Sequence, residues 1–204
     1  MRPIRLDIEG LQSFREAQTI DFNLLGETGL FGIFGPTGSG KSTVLDAITY
    51  ALYGRVKRAD RGTQGIIHAE RQAASVSFTF LLHGRDGSVT YRVERTCRRK
   101  KGSDQATEVK TARLVRQTEA GDIPVCDKAS EVGDAVFALI GLNHEDFTRA
   151  VVLPQGSFAE FLQLDGTKKR EMLERTFYLE AYGRDLQDKL IRRMSRVARA
   201  TERN

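Results

Sequence analysis

Residues 30–54 read LFGIFGPTGSGKSTVLDAITYALYG, an apolar run, a glycine-rich turn and then a helical pattern. The turn satisfies G-x-x-x-x-G-K-[ST] through Gly35, Gly40, Lys41 and Ser42, with Pro36, Thr37, Gly38 and Ser39 between the first two and Thr43 following. Chemistry explains the pattern. Glycines let the backbone curl until successive N–H groups point at phosphate oxygens. A lysine at position 41 supplies a point charge for β- and γ-phosphates, and the Ser42 hydroxyl suits Mg²⁺. A helix starting here adds its positive end and free N–H groups to the same anion.

The flanks supply the context this motif requires. Leu30–Phe34 reads as a short buried strand. Thr43–Tyr53 places Val44, Leu45, Ala47, Ile48, Ala51 and Leu52 at helical spacing, with Gly54 as a stop. Elsewhere, Arg2–Glu9, Ala17–Phe22, Ala74–Leu82, Val89–Cys97 and Glu108–Arg116 read as strands, with a turn at Gly84–Ser88. Ser130–Ile140 is an amphipathic helix ended by Gly141. The expected fold class is α/β: a phosphate-loop NTPase lobe with a mixed sheet around the loop helix, an antiparallel sheet beside it, and helices toward the C-terminus. Residues 1–165 form the lobe. Residues 166–204 form a charged helical segment whose start is placed at Thr167. There Tyr182, Leu186, Leu190, Met194 and Val197 make a narrow apolar stripe. That stripe suits either the root of a coiled coil or a helix lying on the domain. The sequence stops at Asn204 without a helix cap or terminal glycine, as a cut chain would.

Composition narrows the classes. The 204 residues carry a formal charge of +5, which permits a polyanionic partner without demanding one. Cys97 and Cys126 lack metal-ligand spacing and read as free thiols in a reducing compartment. His68, His83 and His144 likewise show no ligand spacing. An N-terminal apolar segment and a long apolar run are both missing, so a cytoplasmic protein without a membrane partner is expected.

Hydrolysis needs a second, acidic element: an apolar strand ending in Asp, commonly followed by a catalytic Glu. Four apolar residues followed by Asp-Glu occur nowhere in this chain, nor does an LSGGQ-like signature. The chain alone is therefore expected to bind nucleotide and to hydrolyse it poorly. One neutral candidate exists. The apolar run Ala150–Leu153 leads into Pro154-Gln155-Gly156, and a glutamine so placed can reach Mg²⁺ or the attacking water.

Four stretches together resemble one family: LDIEGLQSFREAQTIDF, GPTGSGKSTVLDAITYALYG, ASVSFTF and HEDFTRAVVLPQGSFAEFLQLDGTKKREMLERTF. The chain is similar, from about Arg2 to at least Leu190, to the N-terminal ATPase half of the SbcC family, SMC-like ATPases that work on DNA ends. The resemblance implies that Gly38, Gly40, Lys41, Ser42 and Thr43 bind the ATP phosphates, with Ser42 and Gln155 flanking Mg²⁺. It makes Lys41 and Gln155 the catalytic residues. It places Arg15 near the nucleotide and a loop around Ile67, His68 and Ala69 toward the base. The alternative for Arg15 is an exposed hairpin charge.

In such proteins the nucleotide-binding domain is split. The C-terminal half supplies the signature, the acidic strand and the catalytic Glu, beyond a long coiled coil. The resemblance thus implies several partners: the C-terminal half, a second ATPase head in an ATP-bound homodimer, an SbcD-type nuclease subunit, and DNA. For DNA, two basic clusters are candidates: Arg92, Arg95, Arg98, Arg99, Lys100 and Lys101 near a hairpin tip, and Arg192, Arg193, Arg196, Arg199 and Arg203 on the terminal helix. Solvated surfaces explain both clusters equally. Two alternatives come from other classes. An ABC transporter-type ATPase subunit would carry its signature in the same compact domain. A DNA- or partner-binding module with a vestigial pocket would bind without regard to ATP.

Overall fold

The computed structural model describes residues 1–25, 31–84, 87–103, 105–151 and 165–170. They belong to two compact units, Met1–Ile140 and Gly141–Asn204.

The first unit is built on one six-stranded sheet. Its strands are β1 (Arg2–Glu9), β2 (Gln18–Asp21), β3 (Ala73–Gly84), β4 (Gly87–Arg99), β5 (Thr107–Thr118) and β6 (Gly121–Cys126), in the order β2-β1-β3-β4-β5-β6. Every neighbouring pair is antiparallel. The helices α1 (Lys41–Tyr53) and α2 (Ala129–Ile140) complete the unit; α1 meets β3 and β4, and α2 meets β5 and β6.

Side-chain alternation explains which residues form the core. Register aligns Leu6, Phe78, Val93 and Leu114 across four strands, and each is fully buried. Two residues along, Ile8, Val76, Arg95 and Ala112 make the next inward row. Helix α1 packs Val44, Ala47, Ile48, Ala51 and Leu52 out of solvent. Each large apolar side chain so buried contributes roughly 1.5–3 kcal/mol. The outward residues of the same strands are charged and mutually neutralised: Arg5 with Asp7, Arg92 with Glu94 and Asp122, and Arg113 with Glu94.

This alternation corrects the first basic cluster. Arg95 is 3% exposed. Its Nε donates to the Ala51 carbonyl at 2.7 Å and its second nitrogen to that of Leu52 at 3.2 Å. The guanidinium therefore closes the C-terminal end of α1, where helix carbonyls lack partners and the dipole is negative. Burial pushes its pKa down from the ordinary arginine value. Arg92 and Arg98 point outward but are paired, Arg98 with Glu108. Consecutive arginines looked like one patch because sequence counting ignores the two faces of a strand. Replacing Arg95 by Met, which keeps the stem and abandons both carbonyls, is expected to lower unfolding stability by about 2–4 kcal/mol. Denaturant titration of the full-length protein measures this, and a loss below about 0.5 kcal/mol would contradict the capping role.

Two expectations about the sheet also change. Residues 31–34 form no strand, and Phe34 is 92% exposed. The reason is pairing: a strand needs a neighbour for its N–H and C=O groups, and none of the six strands lies beside this run. For the same reason no parallel pair, and so no mixed sheet, occurs among the described residues. Helix α1 meets its expectation closely, ending on Gly54, which is left-handed and donates its N–H to the Tyr50 carbonyl at 2.8 Å. Strand β6 was not foreseen, since Asp122 and Pro124 break the alternation that identified the others.

In the second unit, α3 (His144–Ala150) is capped by Asn143, whose side chain accepts the Asp146 N–H. The run expected from Ala150 to Leu153 therefore begins as the end of a helix, and residues 152–164, including Gln155, lie outside the described residues. Residues 166–170 are helical. Their cap is Asp165, which accepts the Lys168 N–H at 2.8 Å, rather than Thr167. The apolar stripe from Tyr182 to Val197 and the terminal arginines lie outside the described residues.

Candidate nucleotide site

The phosphate-loop residues form a turn that feeds directly into α1. Gly40 is the N-cap, with φ 90° and ψ 7°. Only glycine takes that conformation without strain, and a Cβ there would also fall 3.0 Å from the Phe14 ring. Around Gly38, also left-handed, a Cβ would meet nothing within 4 Å, so the loop is open on that side. No side chain caps α1. The backbone N–H groups of its first turn thus retain the capacity to take an anion.

Lys41 bends back over this loop. Its Nζ donates to the carbonyls of Gly35 and Pro36, each at 2.7 Å. Those bonds place a cation above the curled backbone, with no acidic partner among the described residues. Ser42 is exposed. Thr43 differs: it is 3% exposed, and its hydroxyl donates to the Gln12 Oε1 at 3.0 Å. Thr43 can therefore offer an anion its backbone N–H but not its hydroxyl. The acid in α1, Asp46, is 8% exposed and paired with Arg58. It is committed within the lobe. Among the described residues, no group of three His, Cys, Asp or Glu could hold a metal unaided. Among the described residues, a Mg²⁺ here would depend on Ser42, with the phosphates themselves as further ligands.

Gln12 is the residue the sequence reading missed. It has φ 46°, a left-handed conformation that costs a side-chain-bearing residue roughly 1–3 kcal/mol. The surroundings hold it there. Its N–H donates to the Ile66 carbonyl at 2.8 Å while its side chain takes the Thr43 hydroxyl. One residue thus joins the 10–16 turn, α1 and the 66–69 loop. The His68 N–H, donating to the Gly10 carbonyl at 2.8 Å, tightens the same junction. Only its positive φ marks Gln12, and one-dimensional patterns do not contain φ.

Gln12 therefore ties the turn that carries Arg15, and the 66–69 loop, to the start of α1. Arg15 forms ion pairs with Glu70 at 2.7 Å and Glu16 at 3.2 Å, so its charge is partly spent. Ile67 is 4% exposed, which leaves half-buried His68 and exposed Ala69 as the outward residues of that loop. The His68 ring accepts the Glu70 N–H through Nδ1 at 3.2 Å.

The AAA domain family matches residues 5–204. The chain belongs to the AAA domain family. Membership implies nucleotide binding, which suits a glycine loop open above a helix N-terminus. This AAA domain is 53% identical over 200 residues to the SbcC component of the SbcCD nuclease of Bacillus subtilis, covering 97% of the chain and 17% of that protein. It is 45% identical over 197 residues to the same component from Clostridium acetobutylicum, covering 95% of the chain and 16% of that protein. A probable DNA double-strand break repair Rad50 ATPase from Aquifex aeolicus is 35% identical over 175 residues, 85% of the chain and 16% of that protein. The resemblance to the SbcC ATPase half is borne out. The chain spans about a sixth of the length of these relatives. Among solved structures, the SMC head domain from Thermotoga maritima superposes on 66% of this chain and 42% of that one, at 20% identity and a TM-score of 0.33, too loosely to bear on the fold. No helix among the described residues is long and apolar enough to cross a membrane.

Proposed function

We propose that this AAA domain is the ATP-binding N-terminal half of an SMC-like ATPase that acts in DNA double-strand break repair and in processing DNA ends and hairpins. The observation that carries this reading is Lys41, whose ammonium is held over the glycine loop at the free N-terminus of α1. Gly38, Gly40 and the N–H groups of Lys41, Ser42 and Thr43 bind the phosphates. Lys41 exchanges its two carbonyl acceptors for β- and γ-phosphate oxygens. Ser42 and Gln155 hold Mg²⁺, which supplies charge neutralisation on the phosphates. Arg15 and the loop of His68 and Ala69 border the base side.

The exposed run at residues 31–34 supports a split domain. Phe31, Ile33 and Phe34 are apolar and strand-like in sequence yet pair with no strand among the described residues, as expected when the neighbouring strands belong to another segment. A C-terminal half supplies those strands with the acidic residues this chain lacks, and residues 166–204 begin the coil that leads to it. Two completed heads engage around ATP and gate an SbcD-type nuclease on DNA in the cytoplasm. Light scattering tests the engagement. MgATP with a hydrolysis-blocking analogue is expected to double the mass of the head assembled from both halves. An unchanged mass refutes ATP-driven pairing.

A further inference from the structure

Arg99 ends β4 on the inward parity shared by Val93, Arg95 and Cys97. It belongs to the basic cluster by sequence, but its guanidinium is engaged by backbone carbonyls. Nε donates to the Arg71 carbonyl at 3.0 Å, and a terminal nitrogen donates to the carbonyls of His68 at 3.0 Å and Ile67 at 3.2 Å. One planar fork therefore gathers three carbonyls of a single irregular loop. Arg71, at the end of that loop, repeats the device one step nearer the phosphate turn. Its Nε donates to the Arg15 carbonyl at 2.9 Å, and its terminal nitrogen pairs with Glu9 at 2.9 Å and Glu16 at 3.2 Å.

One isolated bridge, Leu11 to Ile67, and the bonds of Gln12 and His68 tie the start of this segment. The carbonyls of residues 67, 68 and 71 are held by Arg99, which narrows the conformations an irregular loop would otherwise sample. A rigid five-donor fork suits the task better than a lysine, which is a point charge on a flexible stem. The chain of contacts is continuous. Arg99 holds residues 67, 68 and 71, Arg71 holds residue 15, and Gln12 ties residue 66 to Thr43 at the start of α1.

We infer that Arg99 and Arg71 are positioning residues that fix the 66–71 loop and the Arg15 turn beside the phosphate loop, and so set the preference for a complete adenine nucleotide over a bare polyphosphate. This rests on the reading of that loop as the base side. Phosphate affinity itself comes from the glycine loop and Lys41, which neither arginine touches.

The experiment compares binding of MgATP and magnesium tripolyphosphate to the full-length protein by titration calorimetry. Wild type is expected to prefer ATP by at least about tenfold. Arg99→Lys keeps the charge and loses the fork; it is expected to weaken ATP about tenfold and leave tripolyphosphate unchanged. Arg71→Lys, at a half-buried position, is expected to do the same in smaller measure and serves alone if the first variant does not fold. Equal weakening of both ligands marks a merely structural role and overturns the inference, as does no change in either. If wild type binds both ligands equally while Lys41→Ala abolishes both, the phosphate site stands and the base-side reading falls, taking this inference with it.

Discussion

Lys41→Ala is expected to abolish MgATP binding. The wild-type ammonium has no carboxylate partner among the described residues and sits over the glycine loop on two carbonyl oxygens at 2.7 Å. Phosphate oxygens are stronger acceptors than carbonyls, and bonds between charged groups contribute about 1.5–3 kcal/mol each. Losing two such bonds is a fall of about 3–6 kcal/mol, beyond a hundredfold in affinity. The fold should survive. Lys41 is the first residue of α1, alanine favours helix more than lysine, and removing a cation from the positive end of a helix relieves a repulsion. A melting temperature equal to or slightly above wild type, with no measurable heat of MgATP binding, is the expected pair of results. Unchanged affinity would sink the assignment of the pocket.

Turnover is the second large effect. This chain alone is expected to hydrolyse ATP negligibly, and addition of the C-terminal half in trans is expected to restore hydrolysis. The basis is chemical. A phosphate loop binds and neutralises, but attack needs a positioned water and an acid near Mg²⁺. The acid on α1, Asp46, is buried against Arg58 and cannot serve. In the reconstituted pair, Gln155→Ala is expected to lower kcat by about tenfold or more with little change in nucleotide affinity, if its amide has the proposed role at the metal and the water. Steady-state phosphate release measures both. Hydrolysis by this chain alone at the rate of the pair would refute the split site.

The contrast between Lys41 and Arg95 shows which features were legible in sequence. Lys41 is local: its proposed role follows from glycines and a helix start within nine positions, and the structure has it as the first residue of α1 with its ammonium on the Gly35 and Pro36 carbonyls. Arg95 is not. It lies among basic neighbours, and only the register of β4 against β3 and β5 turns it inward onto the end of α1. Tyr50 and Cys97 share that buried environment, and desolvation raises the pKa of both, so neither carries charge there at neutral pH.

The strand expected at Leu30–Phe34 is absent over residues 31–34 for a related reason. Its composition is right, but a strand exists only with a partner, and sequence composition does not say whether a partner lies in the same chain. The amino-acid sequence by itself determined the phosphate loop, α1 with its Gly54 stop, five of the six strands, and the membership those stretches carry. These depend on torsional preferences and side-chain periodicity over a few residues. Tertiary structure alone decided that Gln12 joins three segments, that Thr43 turns its hydroxyl away from the loop, and that Arg99 and Arg71 hold the 66–71 loop. Those contacts span from 28 to 62 positions of chain, and a hydrogen bond between distant residues leaves no periodic trace in either partner's neighbourhood.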